Sequence, residues 1–209
     1  MRKVDPAKHE ARRQQVIDAA AALFAEKGLD GTTTAEICRA AGMSSGNVFH
    51  YFSSKREIFY ALITHDEDEK AEQLAAAQTM GDPWQGLLAV VDLLAAPATV
   101  PLGPPLVMEA MIQAHRDPEL AAWLERDQAN EHAAVEALVA RATERGQIDP
   151  GRSPRHTASW IIALVGALFL QAATDSDFDP AAEVATLHVI LHRFLRGPAD
   201  EPTRGAPEE

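Results

Sequence analysis

The sequence has a single cysteine, Cys38, among 209 residues. No intrachain disulfide can form, and a zinc site built on paired cysteines is excluded. A chain of this length buries a sizeable core without crosslinks, so a reducing, intracellular setting is expected. Runs of β-branched residues are scarce, and no useful stretch alternates apolar and polar residues with period two. That excludes a sheet-rich fold. Long apolar runs are lacking as well. The longest covers 158–170, short of the ~20 residues a helix needs to span a bilayer. Val4-Asp5-Pro6 interrupts the basic start before any signal-peptide core develops. A cytoplasmic protein with no membrane association is expected. Catalytic motifs are missing too: there is no G-x-S-x-G, no glycine-rich phosphate loop and no HExxH. An enzyme is not expected, and neither is a cofactor.

The composition is that of a globular chain: 46% hydrophobic and 24% charged residues, which excludes wholesale disorder. The net charge of −12 is spread unevenly. Residues 1–60 carry nine Lys/Arg against seven Asp/Glu, a net of +2, while the remainder carries −14. A polyanion would dock on the N-terminal part.

The apolar spacing is helical almost throughout. An Asp or Ser before Pro supplies an N-cap oxygen and then a residue whose missing N–H costs nothing. This pair stands at Asp5-Pro6, Asp82-Pro83, Asp117-Pro118, Ser153-Pro154 and Asp179-Pro180. Thr33 with Glu36, and Ser54 with Glu57, have the spacing of capping boxes. Nine helices follow, at about 6–27, 34–40, 45–51, 55–78, 83–95, 105–115, 118–145, 154–174 and 180–196. A proline-rich loop is expected over 97–105, and a disordered tail over 197–209.

The second and third helices are short and joined by Ala41-Gly42-Met43. Gly42 permits the left-handed backbone of a tight interhelical turn, and Ser44 can cap the helix that follows. This is the layout of a helix-turn-helix, whose second helix enters the major groove. Helix three offers Ser44, Ser45, Asn47 and His50 as short or planar polar groups that can reach base edges or phosphates, with Gly46 leaving its surface bare. Asn47 can donate and accept on adenine. Val48 and Phe52, four apart, should face the core. Thr33 and Thr34 open helix two, where free N–H groups and hydroxyls suit phosphate. Tyr51 and Lys55 are further phosphate candidates, and Arg39, Arg56 and the arm residues Arg2, Lys3 and Lys8 add positive charge.

The stretch from Arg13 reads R-x3-I-x-A-A-x2-L-F-x3-G-x3-T-T and continues as AEICRAAGMSSGNVFHYFSSKREIF to Phe59. It resembles the TetR family of transcriptional repressors over about residues 10–60. The resemblance implies that Thr34, Tyr51 and Lys55 hold the DNA backbone and that Ser45, Gly46, Asn47 and His50 lie near bases. Phe49 stands where the family often has Tyr, so that DNA-facing position has no hydroxyl to offer phosphate. Cys38 stands where Ala is usual, and an inert buried thiol is the plain reading.

The expected domains are a helix-turn-helix DNA-binding domain at 1–54, a ligand-binding and dimerisation domain at 55–196, and the tail. The helix at 154–174 is apolar on nearly every face, so it calls for cover on all sides. Ile162, Gly166 and Phe169 on it, with Val184, Leu187, Leu191 and Phe194 on the last helix, are the expected dimer interface. The resemblance puts a two-fold contact on the same two helices. The remaining bundle carries Trp84, Leu88, Met108, Met111, Trp123, Trp160 and Phe169, candidates to line a pocket for an apolar small molecule. Glu109, Gln113 and His115 are its candidate polar contacts. His188 and His192 lie one turn apart, but no metal site is expected, since no cysteine or carboxylate pair accompanies them.

The expected function is that of a homodimeric, ligand-responsive repressor on a palindromic double-stranded DNA operator, released by a small apolar or amphipathic molecule. A helix of about 24 residues after the recognition helix would reach about 36 Å between the two domains. The rival reading is an α-helical small-molecule carrier or enzyme whose N-terminal helices merely pack.

Overall fold

The computed structural model describes residues 6–196. Among them the chain is all-α, with no strand. The helices are α1 (Pro6–Gly31), α2 (Thr34–Ala40), α3 (Ser45–Tyr51), α4 (Lys55–Ile63), α5 (Glu67–Thr79), α6 (Pro83–Ala95), α7 (Gly103–Ala114), α8 (Pro118–Glu144), α9 (Pro154–Thr174) and α10 (Pro180–Arg196). A 3₁₀ turn, Ala96–Thr99, follows α6.

The Pro-linked starts act as caps. Asp82 Oδ1 accepts from the Trp84 and Gln85 N–H groups at 2.9 and 3.3 Å. Asp117 Oδ1 accepts from Glu119 and Leu120 at 3.1 and 3.2 Å. Ser153 accepts from His156, and Asp179 from Ala181 and Ala182. The Asp5-Pro6 start, Arg2, Lys3 and the expected tail lie outside the described residues.

Two boundaries differ from the sequence reading. The helix expected over 55–78 is divided at Thr64–Asp66 into α4 and α5. An unbroken helix would hold the carboxylates of Asp66 to Glu69 in its interior, where they repel. The break places Glu67, Asp68 and Glu69 in a first turn, at the positive end of a helix dipole. The expected 97–105 loop is also shortened, by the 3₁₀ turn and by α7 starting at Gly103 with Pro104 and Pro105 in its first turn.

The described chain separates into two compact units, which also differ from the 54/55 division. One runs through Glu69 and includes Val100–Arg126; the other is Lys70–Thr99 with the chain from Asp127 on. The physical reason is a set of ties within the first unit. Arg56 on α4 makes a fork with Asp117 (2.6 and 2.9 Å) and reaches Glu119 at 2.9 Å. Ala110 and Leu120 share a core with Val16, Phe24, Ile37, Val48 and Phe59.

In the second unit, Leu87, Val90 and Val91 of α6 pack with Leu138 of α8, Ile161 of α9 and Leu191 of α10. Arg141 donates to the Gln78 and Met80 carbonyls, and Arg145 to that of Gly81, so α8 satisfies the end of α5. Lys70 sits between Asp127 (2.7 Å) and Glu131 (2.5 Å). Burial pushes the Glu131 carboxyl up, partly offset by Lys70. Burial opposes the Lys70 charge, but the two carboxylates outweigh it and hold its ammonium above the usual range.

The apolar run at 158–170 is part of a longer apolar helix. All 21 residues of α9 form one helix that is long and apolar enough to cross a membrane by length and composition. Within its unit, one face is buried through Ile161, Val165 and Leu168, while Trp160 and Leu170 stay exposed.

Among the described glycines of the second unit, Gly86 is the most closely approached. A Cβ there would stand 2.6 Å from the Ala77 carbonyl oxygen and 2.9 Å from Leu138 Cδ2. Gly86→Ala should therefore cost about 1–3 kcal/mol through overpacking, despite alanine's better helix propensity. A scanning-calorimetry midpoint lower by several degrees is the expected result.

Candidate nucleic-acid interface

The recognition element is built on a turn that only glycine relaxes. Gly42 sits at φ +63°, in the left-handed region. The Met43 N–H returns to the Cys38 carbonyl at 3.0 Å, closing α2. Ser44 then caps α3, its Oγ accepting from the Asn47 N–H at 3.3 Å. Val48 and Phe52 are buried, as their spacing implies. Ser45, Gly46, Asn47, Phe49 and His50 are exposed on the remaining surface of α3, with Phe49 51% exposed despite its apolar ring. A Cβ at Gly46 would meet nothing within 4 Å, so the fold does not require glycine there. Tyr51 is half-buried, its ring 4.8 Å from His9 and 5.2 Å from His50. Cys38 is buried and free.

The phosphate candidates at the start of α2 are more committed than expected. The Thr33 hydroxyl donates to Glu36 Oε2 at 2.8 Å and accepts from the Glu36 N–H at 3.3 Å. The Thr33 N–H also donates to that carboxylate, at 2.9 Å. Lys27 lies 2.7 Å from Glu36. Lys27, with the Thr33 bonds behind it, pulls the Glu36 carboxyl down to about 2. The cap charge thus persists down to strongly acid pH. Thr34 is half-buried beside this box. The second expected box is only half formed. Ser54 accepts from the Glu57 N–H, but the Glu57 carboxylate returns to the Ser53 N–H and hydroxyl at 2.6 and 2.7 Å.

Lys55 has a role that the sequence did not show. Its ammonium donates to the carbonyls of Leu29, Asp30 and Thr32 at 2.7, 3.2 and 2.9 Å. An ammonium has three protons, and all three are engaged at the end of α1. Lys55 therefore brings charge to this edge rather than a free donor. α1 itself breaks at Gly28 (φ +70°). The Leu29 N–H released there donates to Glu109 Oε1 at 2.7 Å, and Gln113 donates to the same oxygen at 2.8 Å. Glu109 and Gln113, the candidate polar contacts, are thus engaged within the first unit.

The pocket candidates fall in both units. Met108, Met111, His115 and Trp123 belong to the first unit; Trp84, Leu88, Trp160 and Phe169 belong to the second. Met111 and His115 are exposed, Met108 is half-buried, and Trp123 donates to Glu67 at 2.9 Å. Trp84 is core, with Arg196 over its ring at 4.5 Å. Leu88 and Phe169 pack on that core. Trp160 is 54% exposed, and its indole N–H donates to His156.

The dimer candidates divide as well. Leu187 and Leu191 are buried in the chain's own core. Ile162, Phe169 and Val184 are half-buried against it. Gly166 and Phe194 are exposed, and the outward apolar residues are joined by Trp160, Leu170, Val189 and Ile190. A shallow groove of about 150 Å³, lined by Leu164, Ala167, Phe178 and Ile190 among others, runs between α9 and α10. His188 pairs with Asp92 at 2.7 Å. Among the described residues no group of three or more potential metal ligands comes together.

Known proteins carry the same arrangement. The model of the tetR family of bacterial regulatory proteins matches residues 16–62, and that of the tetracyclin repressor-like C-terminal domain matches residues 78–189, more than half of the chain. The chain belongs to the TetR family. The HTH-type transcriptional repressor Rv1474c of Mycobacterium tuberculosis is 41% identical over 42% of this chain and 43% of its own length. The HTH-type transcriptional regulator UidR of Escherichia coli K12 is 26% identical over 73% of this chain and 76% of its own. The structure of AibR in complex with isovaleryl coenzyme A and operator DNA shares the fold, with a TM-score of 0.68 at 19% identity over 85% of this chain and 97% of that one. These relatives are named as regulators and not as enzymes, which favours the regulator over the carrier or enzyme reading.

Lys55→Met separates a structural from a DNA-only role in this TetR-family headpiece. Leaving three carbonyls short of a charged donor should cost about 1–3 kcal/mol. The thermal midpoint of the DNA-free protein is expected to fall; a side chain that served only phosphate would leave it unchanged.

Proposed function

We propose that the protein is a cytoplasmic, homodimeric repressor that holds a palindromic operator and releases it when a small apolar or amphipathic molecule binds the C-terminal unit. The observation that carries this reading is the division of α3. Val48 and the Phe52 that ends the helix anchor it, while Ser45, Gly46, Asn47 and His50 are exposed on its remaining surface, the His50 ring also meeting His9 and Tyr51. These four are the base-facing set, with Phe49 apolar beside them. Thr33, Thr34, Ser44, Tyr51 and the Lys55 charge flank the backbone.

One such module presents few cations, so a single copy binds weakly. Two copies reading two half-sites supply both grip and spacing. The outward apolar residues of α9 and α10 support a second copy, not a bilayer, as their cover. Phe194 keeps its expected place in that role and Ile190 joins it, while Leu187 and Leu191 are buried in the chain's own core. The effector reading is supported by family membership and by the isovaleryl coenzyme A held by AibR. Whatever the effector, it lowers operator affinity by no more than its own preference between the two states.

Asn47→Ala should relax base preference, losing about 1–3 kcal/mol of discrimination, while sedimentation still shows a dimer. Unchanged selectivity on the DNA flanking its own gene would remove Asn47 from the base contacts. Ile190→Arg with Phe194→Asp should instead give a folded protomer in ultracentrifugation, with operator binding weakened to the non-specific level. A variant that stays dimeric would move the interface elsewhere.

A further inference from the structure

We propose that Arg12, steered by Gln15 over the cleft beside α3, receives a backbone phosphate of the duplex that α3 reads. The inference rests on the DNA-binding reading and adds to it a residue that the sequence pattern did not single out.

Phosphate neutralisation carries most of the affinity of such proteins, yet α3 itself holds no Lys or Arg. Several nearby basic groups already have protein partners, and Lys8 and Arg39, though exposed, do not line the cleft beside α3. Lys55 serves three carbonyls, and Lys27 is paired with Glu36. Arg56 is forked on Asp117, and Arg13 lies over the Phe52 ring at 5.1 Å. Arg12 differs. It is exposed, and among the described residues its hydrogen-bonding partner is Gln15, whose Oε1 accepts from Nη1 at 2.9 Å. A guanidinium has five N–H donors in a planar fork suited to phosphate.

Gln15 gives this arginine a direction. Its amide Nε2 donates to the Ala41 carbonyl at 2.8 Å, at the end of α2 where the helix-turn-helix turns. One end of Gln15 is thus fixed to that turn while the other holds the guanidinium. Arg12 then lines a polar cleft of about 230 Å³ with Gly42, Met43, Asn47 and Tyr51. The bare Gly42 backbone, an amide and a phenol converge there with the cation. His9 lies three residues earlier on α1, with its ring against Tyr51. This face of α1 therefore runs beside α3, where strand phosphates pass once α3 enters a groove.

The test measures affinity against salt for the full-length protein, on the duplex flanking its own gene and on a scrambled duplex of equal length. Arg12→Ala should weaken both by a similar factor, roughly tenfold, and lower the log–log salt slope by about 0.9 for each phosphate no longer neutralised. Gln15→Leu should move both in the same direction by less, and Arg12→Lys should recover part of the slope. Thermal midpoints check that each variant is folded. Wild-type affinity and slope in Arg12→Ala overturn the inference and leave a solvated arginine. So does a weakening confined to one sequence with the slope unchanged, which would mark a base contact. If the wild-type chain binds neither duplex, the DNA-binding reading falls and this one with it.

Discussion

The backbone groups set loose where α1 breaks at Gly28 help fix the position of the α2 and α3 residues assigned to DNA. A break releases N–H and carbonyl groups that helix geometry no longer pairs, and each left unsatisfied in a partly buried place costs about 1–3 kcal/mol. Here two distant side chains collect them, and a local cap closes the next helix. Glu109 of α7 takes the Leu29 N–H, Lys55 of α4 takes three carbonyls, and the Thr33–Glu36 box closes the start of α2. Thr32, buried in the corner, donates its hydroxyl to the Gly28 carbonyl at 2.8 Å. The orientation of α2, and through Gly42 that of α3, follows from this closure.

Features that depend on neighbours in the chain were readable in advance. The Asp–Pro and Ser–Pro caps, the Gly42 turn and the inward Val48 with outward Asn47 all rest on spacings of a few residues. Lys55 and Glu109 were not readable in the same way, because their partners lie 26 and 80 residues away. Nothing local separates a lysine that caps a distant helix from one that meets phosphate.

The same limit applies to α10. It carries apolar residues on two sides, Leu187, Leu191 and Leu195 inward and Val189, Ile190 and Phe194 outward. Periodicity finds an apolar stripe but does not say which partner it faces. Trp84 and Trp160 make the point again: one is core and the other is exposed. Side-chain type alone does not distinguish them. The unit boundary was hidden for a related reason, since Val100–Arg126 joins the N-terminal unit through ties such as Arg56–Asp117 that span about sixty residues of sequence.

The bare approach at Gly86 has a mechanical consequence. Interlocked side chains can absorb a small shove by changing rotamer. Where α6 meets the Ala77 carbonyl with no side chain of its own between them, there is no such cushion. A push on α6 passes to the end of α5 with little slack, so this joint behaves as a stiff coupling between neighbouring rods.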